Sequence, residues 1–193
     1  INQSNRALLL PARRIHTGYI SNPIGTDSMQ GLHILGIDSY TPAGGINYWG
    51  RKLNKLFKKS GRPEFLDTTP EGMQLEIVDW VSAKNKFFTH ILRPHEPIAT
   101  MSVLADRDIK EKGIIPKSVA GSLNFRSIAI EQNNQFDLSY TFYLGPKQSD
   151  ILKQAGNIME KVMEFETIGF WSFTNILMEP SRKALLYLSL IHI

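Results

Sequence analysis

The residues best suited to acid–base or metal chemistry are the histidines, and their spacing matches neither use. There are five of them: His16, His33, His90, His95 and His192. No two stand in the HxH or HExxH spacing that is typical of zinc ligands. His95 and Glu96 lie between Pro94 and Pro97, where an imidazole and a carboxylate could exchange a proton with a substrate. A solvated turn explains these residues more simply, so we expect no metal site and no catalytic pair.

Motifs for covalent or cofactor chemistry are missing from the sequence. It contains no cysteine, which excludes disulfide bonds, thiolate zinc sites and cysteine nucleophiles. It also lacks the G-x-S-x-G elbow of hydrolases and the G-x-x-x-x-G-K-[ST] and G-x-G-x-x-G loops that bind phosphates. Gly44 and Gly45 follow Pro42 and indicate a turn. We therefore predict a protein with neither catalytic activity nor a cofactor.

One basic cluster stands out in the first half of the chain. Its members are Arg51, Lys52, Lys55, Lys58, Lys59 and Arg62. The simplest interpretation is the solvated face of a short amphipathic helix or loop. Binding to anionic lipid headgroups comes second, at about 1 kcal/mol per basic residue near the surface. Nucleic acid comes third, because no aromatic stacking platform accompanies the charges. We predict that the protein binds no nucleic acid.

Length and composition define the class of protein that must position these residues. The 193 residues are 42% hydrophobic and 21% charged, which is typical of a globular domain and excludes a disordered chain. No uncharged apolar run reaches the about 18 residues of a membrane-spanning helix. The chain begins with Ile1 rather than methionine and ends at Ile193 within an apolar run. We expect it to be a piece of a longer protein.

The larger part of the sequence has the texture of β-strands, with short apolar runs broken by Gly, Pro and Asn. In the most regular segment, 136–144, one face carries Phe136, Leu138, Tyr140, Phe142 and Leu144. We predict that this face points into a core between two sheets. Its predicted partner strand carries Leu123 and Phe125, and residues 132–135 form the hairpin loop between them. A one-residue slip in the alternation predicts a bulge near Ser127.

Helical patterns follow residue 147. The first has an apolar face formed by Ile151, Leu152, Ala155, Ile158, Met159, Val162 and Met163, with Ser149 or Asp150 as its predicted N-cap. The second runs over 170–188, with a kink or break expected at Pro180. Arg182 and Lys183 lie opposite its apolar face. The pattern alone favours a helix docked on its own β domain; a helix lying in a membrane surface is the alternative.

Two stretches of the sequence resemble a known protein family. Residues 80–88 are similar to the W-x-x-x-K-N-x-[FY]-F stretch of bacterial YidC-type (Oxa family) membrane protein insertases, and 143–147 to that family's Y-x-G-P-K. The matching positions are Trp80, Lys84, Asn85, Phe87, Phe88, Tyr143, Gly145, Pro146 and Lys147. A short helix, an aromatic stretch at 170–173 and an amphipathic helix then follow in the family's order. The basic segment 51–62 has no counterpart in the resemblance.

The resemblance implies a fold and a domain organisation. The fold would be mainly β, a β-supersandwich like that of galactose mutarotases, with C-terminal helices of which the last is amphipathic. Residues 1–147 would form the sandwich, 148–165 a short helix packed on it, and 166–193 an interfacial helix leading toward a transmembrane segment. The residues implied to lie at the membrane interface are Phe170, Trp171, Phe173, Leu177, Arg182, Lys183, Leu185 and Leu188.

The function implied by the resemblance is not enzymatic. The chain would be the periplasmic domain of an inner-membrane insertase and chaperone, an interaction module that helps membrane proteins insert and fold. Its implied partners are Sec translocon subunits, nascent membrane proteins and the membrane surface. The alternative is a carbohydrate-binding or mutarotase-like protein on the same sandwich, since fold does not fix function. Such an enzyme needs a histidine and a carboxylate in one cleft, for which His90 or His95 with Glu96 are the nearest candidates.

Overall fold

The structure is built mainly from antiparallel β-strands, as the sequence predicts. The computed structural model describes residues 1–21, 35–48, 65–69, 73, 76–96, 99–110, 113–156 and 158–163, except for the side chains of 65–66, 107–110 and 113–116. Within these residues the strands are β1 (Leu8–Leu10), β2 (Arg13–His16), β3 (Ile20–Ser21), β4 (Gly36–Thr41), β5 (Gly45–Tyr48), β6 (Phe65–Thr68), β7 (Trp80–Lys84), β8 (Phe88–Pro94), β9 (Ala99–Lys110), β10 (Gly113–Phe125), β11 (Ile128–Ile130) and β12 (Tyr140–Pro146). The chain divides into two units, Ile1–Lys147 and Gln148–Ile193, and these strands all belong to the first.

The described strands form two larger sheets and a two-stranded ribbon. In sheet I the order is β2-β10-β9-β6, and β3 continues along β10 beyond β2. In sheet II the order is β12-β8-β7-β4-β5. The ribbon pairs β1 with β11, whose sequences are more than a hundred residues apart. Every one of these pairings is antiparallel. Some join consecutive strands, such as β9 with β10, and others join distant parts of the chain, such as β2 with β10 and β8 with β12.

The core lies between the two sheets, where β10 packs against β7 and β4. Both sheets contribute aliphatic side chains to it, among them Ile37, Val81, Ala83, Leu92, Met101, Val103, Ala105, Val119 and Leu123. The sheets approach each other closely at Gly121. A Cβ atom at this position would lie 2.5 Å from Cγ2 of Val81 and 3.2 Å from the carbonyl oxygen of Ser82. Space alone therefore requires glycine in the middle of β10.

The strand that carries the Y-x-G-P-K motif has a different partner from the predicted one. β12 pairs with β8, in a register that places Tyr140 opposite Pro94. The strand that carries Leu123 is β10, whose partners are β2, β3 and β9. The hairpin prediction is therefore wrong, and residues 132–135 belong to the connection from β11 to β12. Ser127 lies between β10 and β11, so the slip in alternation marks a change of sheet rather than a bulge.

The apolar face predicted for this strand lies on the core side of sheet II but is exposed. Phe142 stands opposite the core residue Leu92, and opposed residues of an antiparallel pair share a face. Yet Tyr140, Phe142 and Leu144 keep 48%, 47% and 63% of their surface exposed, whereas Leu138 packs against the core. The prediction of burial is wrong because β10 packs against β7 and β4, which lie two and three strands farther in than β12.

The first predicted helix is present but shorter than its apolar pattern. An α-helix, α1, covers Ser149–Ala155, and a 3-10 helix covers Met159–Met163. Gly156 separates them with a φ of +80°, a left-handed conformation that ends an α-helix. The N-cap is Gln148, without a capping side-chain hydrogen bond, rather than one of the two residues that follow it. Of the predicted apolar face, the buried members are Leu152, Met159 and Val162.

Two predicted segments lie outside the described residues. They are the interfacial helix at 166–193, with all eight membrane-interface residues, and the basic cluster at 51–62. In the part of the chain that the structure describes, no helix is long and apolar enough to cross a membrane. The interfacial helix therefore stays a prediction.

The close approach of the sheets predicts the effect of a methyl group at Gly121. Gly121→Ala should lower the free energy of unfolding by about 1–3 kcal/mol, the usual cost of overpacking a core, as measured by urea denaturation. The same substitution should cost clearly less in a Val81→Ala background, because the nearest methyl group is then gone. An equal cost in both backgrounds would contradict the contact.

Candidate functional site

The two sequence motifs, which are more than fifty residues apart, meet at one end of sheet II. The first spans β7, the turn after it and the start of β8. The second closes β12, where Gly145 pairs with Thr89 and Pro146 with Phe88. Residues 143–147 therefore run beside residues 87–91. We call this region the motif junction.

Asn85 organises the turn between β7 and β8. Its side-chain oxygen accepts hydrogen bonds from the amides of Phe87 and Phe88, at 2.8 Å and 2.7 Å. Its side-chain nitrogen donates to the carbonyl oxygen of Ser21 at 3.0 Å, which links the turn to the end of β3 in the other sheet. An amide side chain both accepts and donates, whereas an ionised carboxylate only accepts, which explains why the position is asparagine rather than aspartate.

Lys147 fastens the second motif to this turn. Its backbone amide donates to the carbonyl oxygen of Phe87 at 2.7 Å, and its Nζ donates to the carbonyl oxygen of Asn85 at 3.1 Å. The two carbonyl groups belong to the turn, which has few other ways to satisfy them. One residue of Y-x-G-P-K thus completes the hydrogen bonds of the K-N-x-F stretch.

Tyr143 and Gly145 shape the end of β12. The Tyr143 hydroxyl donates to the carbonyl oxygen of Pro146 at 2.7 Å. A Cβ atom on Gly145 would lie 2.9 Å from that hydroxyl and 3.1 Å from Cζ of the ring, so glycine leaves room for the tyrosine. Burial raises the pKa of Tyr143, which keeps the hydroxyl protonated and able to donate.

The remaining motif residues on β7 are buried. Trp80 is fully buried and stacks on Tyr40, with ring centroids 6.0 Å apart. Lys84 Nζ lies 2.6 Å from Oδ2 of Asp38 on β4, and the two side chains are 5% and 0% exposed. The ammonium also lies 5.3 Å from the centroid of the Tyr48 ring, within cation–π range. This ion pair joins neighbouring strands and was missed from the sequence, although a lone carboxylate within the apolar run of β4 is a signal for a buried partner.

The exposed part of the motif junction consists of apolar side chains together with Lys86. Phe87 and Phe88 keep 51% and 50% of their surface exposed, and Leu144 keeps 63%. Phe88 and Leu144 are diagonal neighbours on one face of the sheet. In the junction, the side chains of Asn85, Tyr143 and Lys147 form hydrogen bonds within the protein. The side chains of Phe87, Phe88 and Leu144 are exposed to solvent.

The histidines of the carbohydrate hypothesis bond to threonines rather than to a carboxylate in the described contacts. His90 Nδ1 lies 3.1 Å from the carbonyl oxygen of Thr17, so this nitrogen carries a proton and donates it. His95 Nε2 lies 2.8 Å from Oγ1 of Thr141. Glu96, the proposed partner of either, is exposed. Among the described residues, no group of three or more metal-binding side chains stands close enough to hold an ion.

A second polar cluster lies on sheet I. Arg14 on β2 donates to Oδ1 of Asn124 at 2.9 Å and forms an ion pair with Asp67 on β6. The ring of Tyr19 lies 6.0 Å from that of His16 on β2, measured between centroids. Burial, followed by the charges of Asp106 and Asp67, raises the pKa of Tyr19. Sequence reasoning did not single out these residues, because they are brought together only by the order of strands in the sheet. The cluster presents an aromatic ring beside charged and amide groups.

The ion pair predicts a large effect for Lys84. Lys84→Met should lower the free energy of unfolding by about 3–5 kcal/mol, because it leaves the Asp38 carboxylate buried without its countercharge. The matched control Lys86→Met, at an exposed position, should change stability by less than about 0.5 kcal/mol. Chemical denaturation measures both. Adding Asp38→Asn to Lys84→Met should recover part of the loss, and similar costs for the two lysines would refute the pair.

The hydrogen bonds of the turn predict that Asn85→Ala and Asn85→Asp have different effects on stability and on amide hydrogen exchange. Asn85→Ala removes one donor and one acceptor and should cost about 1.5–3 kcal/mol in thermal or urea unfolding. Hydrogen exchange should show the amides of Phe87 and Phe88 losing protection, while that of Leu92 in mid-strand keeps it. Asn85→Asp retains the acceptor and should preserve the amide protection while losing the bond to Ser21. Unchanged exchange in Asn85→Ala is the result that contradicts the turn geometry.

Comparison with protein-family models finds no match for the sequence, and comparison with curated proteins finds none either.

Proposed function

We propose that this chain is the periplasmic domain of a YidC-type membrane protein insertase of the bacterial inner membrane. In this proposal the two sheets are part of a β-supersandwich, and the domain is a non-catalytic interaction module. Its partners are Sec translocon subunits, nascent membrane proteins and the membrane surface. The amphipathic segment 166–193 leads from it toward a transmembrane helix.

The observation that carries the proposal is the meeting of the two motifs at Asn85 and Lys147. The resemblance rests on residue patterns that are separated by more than fifty positions in the sequence. Two chance matches would have no physical reason to meet. Here the lysine of one completes the hydrogen bonds of the turn in the other, at 2.7 Å and 3.1 Å. The motif residues thus act as one structural unit, which supports a common origin for both patterns.

The chemistry of the motif junction supports interaction rather than catalysis. Its polar side chains are engaged with backbone groups, as Asn85 and Tyr143 illustrate. Lys84 is held by Asp38 in the interior. A catalytic group must instead present an atom to a substrate with a suitable pKa. The surface that the junction does present is apolar apart from Lys86, which suits contact with proteins or lipid.

The test uses the complete protein that contains this chain, expressed in a bacterium whose own insertase can be depleted. We expect it to restore growth and the insertion of a small inner-membrane protein, measured by protease protection. Translocon subunits should copurify with it after cross-linking from the periplasmic side. If the protein reaches the membrane at normal abundance and neither insertion nor growth recovers, the proposal is wrong.

Carbohydrate binding is the second candidate, and the cluster on sheet I is the observation that favours it. Tyr19 lies 6.0 Å from His16 between ring centroids, and Asp67, which forms an ion pair with Arg14, is one of the charges that raise the pKa of Tyr19. Aromatic rings next to planar polar groups are suited to sugar rings and their hydroxyls. Nuclear magnetic resonance titration with galactose and glucose decides the question. Shifts centred on Tyr19, together with faster anomer exchange that Tyr19→Ala abolishes, would favour this candidate over the insertase.

A further inference from the structure

We propose that the tip of sheet II, formed by Lys86, Phe87, Phe88 and Leu144, docks onto an anionic lipid surface. The inference rests on the exposure and charge of this tip and not on the insertase function proposed above. The partner is a bilayer with negatively charged headgroups, which the tip contacts with apolar side chains and lysines together.

The apolar side chains of the tip are close together and exposed. Phe87, Phe88 and Leu144 each expose half of their surface or more, at 51%, 50% and 63%. Phe87 lies in the turn, and the other two lie on adjacent strands within reach of each other. Aromatic and aliphatic side chains at a projecting turn gain free energy when they leave water for the headgroup and acyl boundary.

The charges around the exposed apolar side chains indicate which kind of partner the tip binds. Residues 84–93 and 138–147, which make up β8, β12 and their ends, contain four lysines and arginines and no carboxylate. Lys84 and Arg93 are paired with Asp38 and Asp79 within the fold. Lys86 is exposed at the tip, and Lys147 lies beside it at the end of β12. The positive charge therefore stands next to the apolar side chains, as an anionic surface requires.

The arrangement within the tip fits the same partner. Lys86 Nζ lies 5.3 Å from the centroid of the Phe87 ring, so the charge and the ring are held close together. In this position the ring can enter the apolar boundary while the ammonium reaches the headgroups. The amides of Phe87 and Phe88 and the carbonyl groups of Asn85 and Phe87 are already hydrogen-bonded within the protein, so insertion of the tip does not leave these groups without a partner.

A fluorescent probe at Leu144 tests the contact directly. The chain contains no cysteine, so Leu144→Cys can be labelled at one position with an environment-sensitive dye in the otherwise intact protein. We expect a blue shift on addition of vesicles of phosphatidylcholine with phosphatidylglycerol, and a much smaller one with phosphatidylcholine alone. The matched control is Leu9→Cys on β1, which is 67% exposed and should report no shift. A shift of equal size at both positions, or none at Leu144, overturns the proposal.

A charge reversal tests the electrostatic part. Lys86→Glu should weaken binding to the anionic vesicles by about tenfold or more in a sedimentation assay. Arg126→Glu makes the same change of charge between β10 and β11 and should have a smaller effect. If the two variants weakened vesicle binding equally, binding would depend only on the net charge of the protein, and the assignment of the lipid contact to the tip would be wrong. A blue shift at Leu144 that appears without lipid as the protein concentration rises would assign the surface to a second copy of the chain instead.

Discussion

The packing of β10 against β7 and β4 is the contact on which the rest of the fold depends. It is possible because Gly121 has no side chain, so that Val81 and the backbone of Ser82 fit directly against β10. β10 also pairs with β2, β3 and β9 within its own sheet. One strand therefore organises most of sheet I and sets the distance to sheet II. A small change in that distance would move every core residue between the sheets, because protein interiors are close-packed.

The position of that contact explains why the apolar side chains of β12, at one edge of sheet II, are exposed. The strands that β10 covers are buried on the core side, whereas β12, at the other end of the strand order, keeps apolar side chains in contact with solvent. The end of this strand is nevertheless held in place, since Lys147 bonds to the turn after β7 and Asn85 bonds to Ser21. Exposure of side chains and order of the backbone are therefore separate properties here. A surface of this kind presents apolar groups without an entropic cost of ordering them.

The strand texture and the positions of several elements could be predicted from the sequence, because alternation and turn residues are local signals. Pairing could not. The segment 136–144 has the alternation of a half-buried strand, but which side the other sheet covers depends on strand order. The break at Ser127 looks like a bulge in sequence and is a passage from one sheet to another. At the motif junction, the sequence motif singled out Lys84 but did not predict what its side chain does. In the structure Lys84 forms a buried ion pair with Asp38, whose only sequence signal was a carboxylate within an apolar run.

The hydrogen bonds that Asn2 makes with residues 130–134 affect the order in which the domain forms during synthesis. The side chain of Asn2 donates to the carbonyl oxygen of Ile130, 128 positions later, and its backbone bonds to Asn133 and Asn134. A ribosome that adds roughly 5–20 residues per second needs on the order of 6–25 s to make the intervening stretch. Over that time β1 has no partner, and its three consecutive leucines remain without the strand that will pair with them. This pairing therefore forms late in synthesis, after the residues of the two larger sheets that precede β11 have been made.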